Sequence, residues 1–144
     1  MRLRLRSLVG LAALILIGAI PVAGQAQHLK VDAFLQKWDA DHDGTLSIDE
    51  VKKAAIDRFE TLDRKQKGTL NRSQVAGILS FQEFRRVDTN KNGTIDKDAF
   101  LAAVVTRFQA ADKDRDGTLD KKELESSAGA SLLRLFAVRQ GPIL

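Results

Sequence analysis

Two short stretches of the chain carry acidic side chains at alternate positions, followed by a glycine. They read DADHDGTLSIDE at residues 39–50 and DKDRDGTLDKKE at residues 112–123. Carboxylates held close together repel, since a pair ~5 Å apart costs about 0.8 kcal/mol even at the dielectric of water. A divalent cation bound among them reverses the sign of that energy. The spacing therefore predicts a site for a hard, oxygen-preferring cation in each stretch.

Two weaker copies of the pattern lie between the complete ones. They read DRKQKGTLNRSQ at residues 63–74 and DTNKNGTIDKDA at residues 88–99. The four copies, numbered here as loops one to four, begin at residues 39, 63, 88 and 112, at intervals of 24, 25 and 24 residues. So even a period indicates a structural repeat.

Apolar residues frame every loop at the same three offsets. They stand four residues before the loop (Leu35, Phe59, Phe84, Phe108), directly before it (Trp38, Leu62, Val87, Ala111) and directly after it (Val51, Val75, Phe100, Leu124). These offsets fall on one face of a helix on either side of a turn. Each repeat is therefore predicted to be a helix, a loop and a helix.

Loops one and four resemble the calcium loop of the EF-hand family, in which DxDxDG is followed by a closing Glu. The resemblance covers about residues 29–128. It implies an all-α fold, an EF-hand-like array of helix-loop-helix units with short β pairing between loops. It also implies Ca²⁺ as the ion, because Mg²⁺ prefers fewer protein ligands and a smaller octahedral site. The pairing strands would contain the aliphatic residues at the eighth loop position: Leu46, Leu70, Ile95 and Leu119.

The family pattern assigns six ligand positions to each complete loop. In loop one they are Asp39, Asp41, Asp43, the Thr45 carbonyl, Ser47 (through water) and Glu50. In loop four they are Asp112, Asp114, Asp116, the Thr118 carbonyl, Asp120 and Glu123. The closing Glu supplies two oxygens, as calcium prefers. Ser47 and Glu50 also form a capping box, so the closing ligand is expected on the first turn of the exiting helix. We expect loop four, with one more carboxylate, to bind at least as strongly as loop one.

Loops two and three depart from the family pattern in different ways. Loop two has Lys65 and Lys67 at ligand positions and Gln74 at the closing position, so we predict it to be metal-free. Loop three keeps a weaker set of candidates, but Ala99 stands where the bidentate acid should be, and we predict weak binding or none. Its candidates are Asp88, Asn90, Asn92, Thr94 and Asp96.

Only 12 or 13 residues separate successive loops, so residues 51–62 and 100–111 are predicted to be single helices shared by two loops. The middle connector contains Gly77 and a capping box of Ser80 and Glu83, which predicts a break near Ser80. Which loops pair is left open by the sequence. A metal-free loop that keeps its strand residue is expected to brace a metal-binding one.

The N-terminus, MRLRLRSLVGLAALILIGAIPVAGQAQ, has basic residues, an apolar run and small residues suited to cleavage after Ala26. This layout is typical of a secretory signal peptide over residues 1–26, followed by an EF-hand domain over residues 27–144. A periplasmic or secreted protein is therefore expected. The rival interpretation is an uncleaved anchor, although the run is shorter than the ~20 residues that span a bilayer. Membrane association is expected only in that case.

The composition of the remaining chain excludes several functions. Removing residues 1–26 takes away three arginines and no acid, which leaves 20 basic and 19 acidic residues and a net charge of +1. No basic stripe with interleaved aromatics supports nucleic-acid binding, and without cysteine there are no disulfides or thiolate sites. His28 and His42 are interpreted as solvated, and with no catalytic motif in the sequence we do not expect an enzyme.

The leading functional hypothesis is a Ca²⁺ buffer, or a sensor with one dedicated protein partner in the envelope. Because no Met follows Met1, the Met-rich groove of a promiscuous adaptor is not expected. The alternative is a calcium-stapled structural or protein-interaction module. The C-terminal stretch SLLRLFAVR places Leu132, Leu135 and Phe136 on one helical face. That face either covers the core or acts as an internal peptide in a groove that the loops open.

Overall fold

The structure, a computed structural model, describes residues 23–137, with side chains from residue 30 onward. The predicted signal peptide therefore lies almost entirely outside the described residues, as does the side chain of His28. Residue 26, where cleavage is predicted, falls inside the first helix, and cleavage there stays a prediction. Within residues 23–137 no helix combines the length and apolar character needed to cross a membrane.

Helices alternate with short strands, and each loop contains one strand. In chain order the described elements are α1 (Ala23–Trp38), β1 (Leu46–Ser47), α2 (Ile48–Leu62), β2 (Thr69–Asn71), α3 (Phe81–Val87), β3 (Thr94–Asp96), α4 (Lys97–Ala111), β4 (Thr118–Leu119), α5 (Lys121–Glu125) and α6 (Ser127–Leu133). The predicted array of helices and loops with short inter-loop strands is confirmed. The two predicted shared helices are α2, between loops one and two, and α4, between loops three and four.

The two complete loops pair with each other, and so do the two degenerate loops. Strand β1 of loop one is antiparallel to β4 of loop four, and β2 of loop two is antiparallel to β3 of loop three. Loops one and two lie at opposite ends of α2, and loops three and four lie at opposite ends of α4, each helix being ~22 Å long. Two loops that share a helix therefore cannot pair with each other. The expectation that a degenerate loop braces a complete one through its strand is therefore wrong.

The eighth-position aliphatics lie in the strands that pair the loops, as the sequence predicted. Leu46 stands opposite Leu119, and Leu70 stands opposite Ile95. All four side chains are at most 1% exposed. The core continues between α2 and α4, where the rings of Phe59 and Phe100 lie 5.9 Å apart. The loop strands are thus part of the hydrophobic core and hold the loops to it.

The segment after loop two is not the helix that the repeat predicts. Residues 72–79 form turns, in which the N–H groups of Ile78 and Leu79 both donate to the carbonyl of Val75 at 3.0 Å. Gly77, at φ +80°, takes a left-handed conformation that ends any helical run. The predicted break near Ser80 is confirmed, since Ser80 caps α3 through a full capping box.

The C-terminal stretch covers the core. Leu132 and Leu135 are fully buried, and the ring of Phe136 lies 4.8 Å from that of Phe34 on α1. Arg58 of α2 donates to the carbonyls of Leu135 at 3.2 Å and of Ala137 at 2.6 Å, which fixes the end of the segment. Of the two interpretations of this stretch, the core-covering one describes the fold.

Candidate metal centre

The first aspartate of every loop ends the helix that precedes it. The N–H of Asp39 donates to the Leu35 carbonyl at 2.9 Å, and the other three loops begin with the same bond at 2.8 or 2.9 Å. The side chain of Asp39 is only 7% exposed and turns back into the loop, where the Gly44 amide donates to it at 3.0 Å. The end of a helix thus places one carboxylate at the centre of each loop.

Loop one brings three of its predicted ligands together. Asp39, Asp41 and Asp43 each offer a carboxylate oxygen, and these oxygens all lie within 4.8 Å of one another. Thr45 orients Asp43, because its N–H and its hydroxyl both donate to Asp43 Oδ1 at 2.8 Å. The side chain of this threonine therefore has a role that sequence reasoning, which considered only its carbonyl, did not find.

Glu50 closes loop one from the first turn of α2. The predicted capping box is confirmed: the N–H of Glu50 donates to Ser47 Oγ, and Glu50 accepts from the Ser47 N–H. The other carboxylate oxygen accepts the N–H of Ala40 at 2.7 Å. Glu50 therefore spans from the end of the loop to its beginning, and nothing in the residue pattern singles out Ala40 for this contact.

The pKa values in loop one reflect both repulsion and hydrogen bonding. Burial opposes ionisation of Asp39, but amide donors, Gly44 foremost, hold the pKa of Asp39 below its ordinary value. The Asp43 amide lowers the pKa of Asp41, yet desolvation and the charges of Asp43 and Glu50 outweigh it, and the pKa of Asp41 is raised. Hydrogen bonds also hold the pKa of Glu50 below its ordinary value despite burial, so within loop one the repulsion among acids shows at Asp41.

Loop four builds a similar cluster from a different subset of its ligands. Oxygens of Asp112, Asp114 and Glu123 lie within 4.8 Å of one another. Asp116 accepts the N–H and hydroxyl of Thr118, each at 2.8 Å. Asp120 caps α5, with the Glu123 N–H donating to Asp120 Oδ1 at 2.7 Å. Glu123 also accepts the N–H of the second loop residue, Lys113, at 2.7 Å, as Glu50 does in loop one.

One atom of loop four tests whether a cation suits this site. Oδ1 of Asp112 is buried, and among the side chains of residues 30–137 it is the one buried oxygen or nitrogen that has no hydrogen-bond partner. A buried acceptor left in this state costs about 1–3 kcal/mol. It lies in a group of three carboxylates, and hard carboxylate oxygens are the ligands that calcium prefers. The residues present therefore fit a calcium ion.

Loop three has the backbone of a complete loop but only part of its acids, Asp88 and Asp96 at ligand positions. Asp88 accepts the amides of Asn92 at 3.1 Å and Gly93 at 3.0 Å, and Asn92 accepts from Thr94 as Asp43 does from Thr45. Asp96 is taken up as the cap of α4, where it accepts the N–H of Ala99 at 2.8 Å. Because Ala99 has no carboxylate, the closing residue of loop three cannot accept the N–H of the second loop residue, as Glu50 and Glu123 do.

Loop two is closed by an amide in place of a carboxylate. Gln74 accepts the N–H of Asn71 at 2.9 Å, and its Nε2 donates to the carbonyl of Leu62 at 2.9 Å. Lys65 and Lys67 are exposed and line an open cleft of about 540 Å³ beside the loop. The Gln74 amide thus links the end of loop two to its beginning, as the closing glutamates Glu50 and Glu123 do in loops one and four.

The fourth position of every loop has a positive φ. The residues are His42 at 59°, Gln66 at 51°, Lys91 at 55° and Arg115 at 62°. Non-glycine residues adopt this conformation rarely, and β-branched ones almost never. All four residues are unbranched at Cβ. The absence of β-branched residues at this position is a sequence signal of the left-handed conformation that the ligand pattern alone does not include. His42 is exposed, as predicted.

Comparison with known proteins gives one finding. A family model described as EF hand matches residues 31–54, 81–98 and 104–126. These segments contain loops one and four in full and loop three up to Asp98, whereas loop two lies outside them. No curated protein matches the chain.

Proposed function

Because the chain belongs to the EF-hand family, we propose that it is a calcium-binding protein of the periplasm or cell exterior, acting as a Ca²⁺ buffer or dedicated sensor. Domains of this family bind Ca²⁺ and are typically not catalytic, and the proposal includes no catalytic step. The observation that carries it is the pairing of the two complete loops, each with three carboxylate oxygens within 4.8 Å.

The ligands proposed for loop one are Asp39, Asp41, Asp43, Thr45, Ser47 and Glu50, and those for loop four are Asp112, Asp114, Asp116, Thr118, Asp120 and Glu123. Bound calcium supplies two positive charges that offset the repulsion among these acids. The chain supplies the arrangement: Asp39 is fixed by the end of α1, and Glu50 is fixed by the first turn of α2. Binding is thereby coupled to the relative placement of these two helices.

The two sites are proposed to act together. Strands β1 and β4 join the loops through Leu46 and Leu119, whose side chains are fully buried. A change in the geometry of one loop must therefore move a core residue that contacts the other. Outside the cytoplasm, where calcium is commonly near millimolar, loops with Kd of about 10⁻⁴–10⁻³ M suffice for occupancy.

A second candidate, a calcium-stapled structural or interaction module, is supported by the C-terminal segment. Leu132 and Leu135 are fully buried, and Arg58 holds the carbonyls that follow α6. A sensor must release such a cover to expose an apolar groove, whereas a staple keeps it closed. A hydrophobic dye separates the two, since its binding rises with calcium for a sensor and falls for a staple.

The site assignment is tested by calorimetry of calcium binding to the chain and to Glu50→Gln and Glu123→Gln variants. We expect two sites in the parent chain and one in each variant, since each substitution removes the bidentate carboxylate that closes its loop. The matched control is Glu60→Gln, which removes an exposed acid of α2 that lies outside all four loops and pairs with Lys97. Unchanged stoichiometry in both loop variants would refute the assignment.

A further inference from the structure

An exposed aromatic residue stands among cations at the end of the molecule that carries loops two and three. Phe81, the first residue of α3, is 53% exposed, and among the side chains of residues 30–137 it is the one large apolar group on the surface to this degree. The guanidinium of Arg72 lies 4.3 Å from the centre of its ring, and that of Arg85 lies 5.6 Å away. These cation–π contacts hold the ring in place while it stays accessible.

Lys91 extends the cationic surroundings of this ring. Together with Arg72, Phe81 and Arg85 it lines a shallow cleft of about 400 Å³. We name these four residues the Phe81 patch. Its members come from the exit of loop two, from α3 and from loop three, so the β2–β3 pairing assembles it. It lies at the opposite end of the shared helices from the carboxylate clusters of loops one and four.

The nearby acids do not neutralise the patch. Asp88, which also lines the cleft, is only 9% exposed, and its two oxygens accept the amides of Asn92 and Gly93. Glu83 is held by Arg107 at 2.8 Å. In the part of the chain that the structure describes, neither arginine of the patch nor Lys91 forms an ion pair. Three cationic side chains therefore remain available to an anionic partner.

We propose that the Phe81 patch docks the protein on an anionic lipid bilayer. Reversible attachment to such a surface needs two signals, a modest apolar insertion and a group of basic residues. Phe81 supplies the insertion at the level of the lipid headgroups. Arg72, Arg85 and Lys91 supply the charge, and the planar guanidinium groups suit bidentate bonds to lipid phosphates. Docking of this kind leaves the calcium loops facing away from the membrane.

The patch suits a bilayer better than an acidic protein. A stable protein interface buries about 800 Å² on each partner around an apolar core. Among residues 30–137, whose side chains the structure describes, no second large apolar residue is exposed beside Phe81, so that core is missing here. A bilayer surface requires only the anchor and the diffuse positive charge.

The experiment reads the patch directly, with a tryptophan at position 81. The full chain carries Trp38→Phe and Phe81→Trp, so that its one tryptophan lies in the patch. It is mixed with neutral phosphatidylcholine vesicles, and with vesicles about one third phosphatidylglycerol, each containing bromine-labelled lipid as a quencher. We expect a blue shift and quenching with the anionic vesicles and little of either with the neutral ones. Residues 1–22 are identical in every variant, so differences between variants report the patch.

Charge removal supplies the matched comparison. Replacing Arg72 and Arg85 with Gln is expected to reduce docking of position 81 by about fivefold per residue. Replacing the exposed Lys53 and Lys122, which lie outside the patch, is expected to leave it unchanged. Equal quenching in neutral and anionic vesicles would overturn the proposal. So would an equal loss of quenching when the two patch arginines and when the two control lysines are replaced. It would also be overturned if a polyglutamate peptide shifted the emission and vesicles did not, since the patch would then serve an acidic protein.

Discussion

The two loop pairs have the same backbone conformation and differ in the side chain at the closing position of each loop. In all four loops the first aspartate is a helix cap that accepts the amide of the sixth-position glycine, at 2.7–3.1 Å. In loops one and four a glutamate reaches back to the amide of the second residue. In loop two Gln74 donates to Leu62 instead, and in loop three nothing reaches back. Loop shape is therefore set by hydrogen bonds within the protein, whereas metal binding depends on a few side chains added to that shape.

The pairing also separates the molecule into two functional ends. The end with loops one and four gathers carboxylates, and the end with loops two and three displays the exposed Phe81 and its cations. Degenerate loops keep their strands because β2 and β3 bury Leu70 and Ile95 in the same core as the strands of the complete pair.

The largest expected effect comes from truncating one strand leucine in each pair. Leu119→Ala and Leu70→Ala both remove a fully buried side chain at the eighth loop position. Each should lower the free energy of unfolding by about 2–5 kcal/mol. Only Leu119→Ala should also weaken calcium binding, because only it disturbs the complete pair. Urea unfolding and calcium titration of both variants measure this contrast. If the two variants bound calcium with equal affinity, the packing of the β1–β4 pair would not affect the calcium sites.

A smaller effect is expected from restoring the missing acid of loop three. Ala99→Glu adds a carboxylate at the closing position of a loop whose Asp88 and Asn92 already have the arrangement of loop one. We expect calorimetry to show one calcium site more than the parent chain has, because the added Glu restores the bidentate carboxylate that calcium prefers. The control is Gln74→Glu in loop two, where Lys65 and Lys67 should prevent any gain. A new site in the control, or none in Ala99→Glu, would contradict the contrast.

The smallest effect concerns the ion pair that anchors the connector between the degenerate loops. Glu83 accepts from Arg107, whose hydrogen bonds lower the pKa of Glu83 to about 2 from 4.5. A lowered pKa in the fold means that this contribution to stability is present above pH 4.5 and is lost as the pH falls through about 2. Glu83→Gln should cost about 1–2 kcal/mol near neutral pH. Urea unfolding at several pH values should show the two proteins converging near pH 2, while a constant difference would exclude the ion pair as its cause.

Much of this architecture could be predicted from the sequence because it rests on local spacing. The shared helices follow from the interval between loops, and the caps at Ser47 and Ser80 follow from residues three positions apart. The position of the break in the middle connector was also predictable. Each of these features depends on residues within one or two helical turns of one another.

What could not be predicted depends on contacts between distant parts of the chain. The pairing of loop one with loop four joins residues 73 positions apart, from Leu46 to Leu119, and no local signal specifies it. The turns after loop two were also not predicted, because Val75, Ile78 and Leu79 are buried at a spacing that suits a helix as well. The left-handed backbone of Gly77 prevents that helix. The unpartnered Oδ1 of Asp112 likewise becomes visible only once the whole loop is assembled.

The most direct test of the account follows the amides of the four sixth-position glycines by NMR during a calcium titration. Each of these N–H groups donates to the first aspartate of its own loop, so a cation bound by that carboxylate must polarise the bond. The account predicts large shifts for Gly44 and Gly117 and none for Gly68, with Gly93 moving only weakly if at all. Shifts of equal size in all four glycines, or in none, would contradict the division into a metal-binding pair and a degenerate pair.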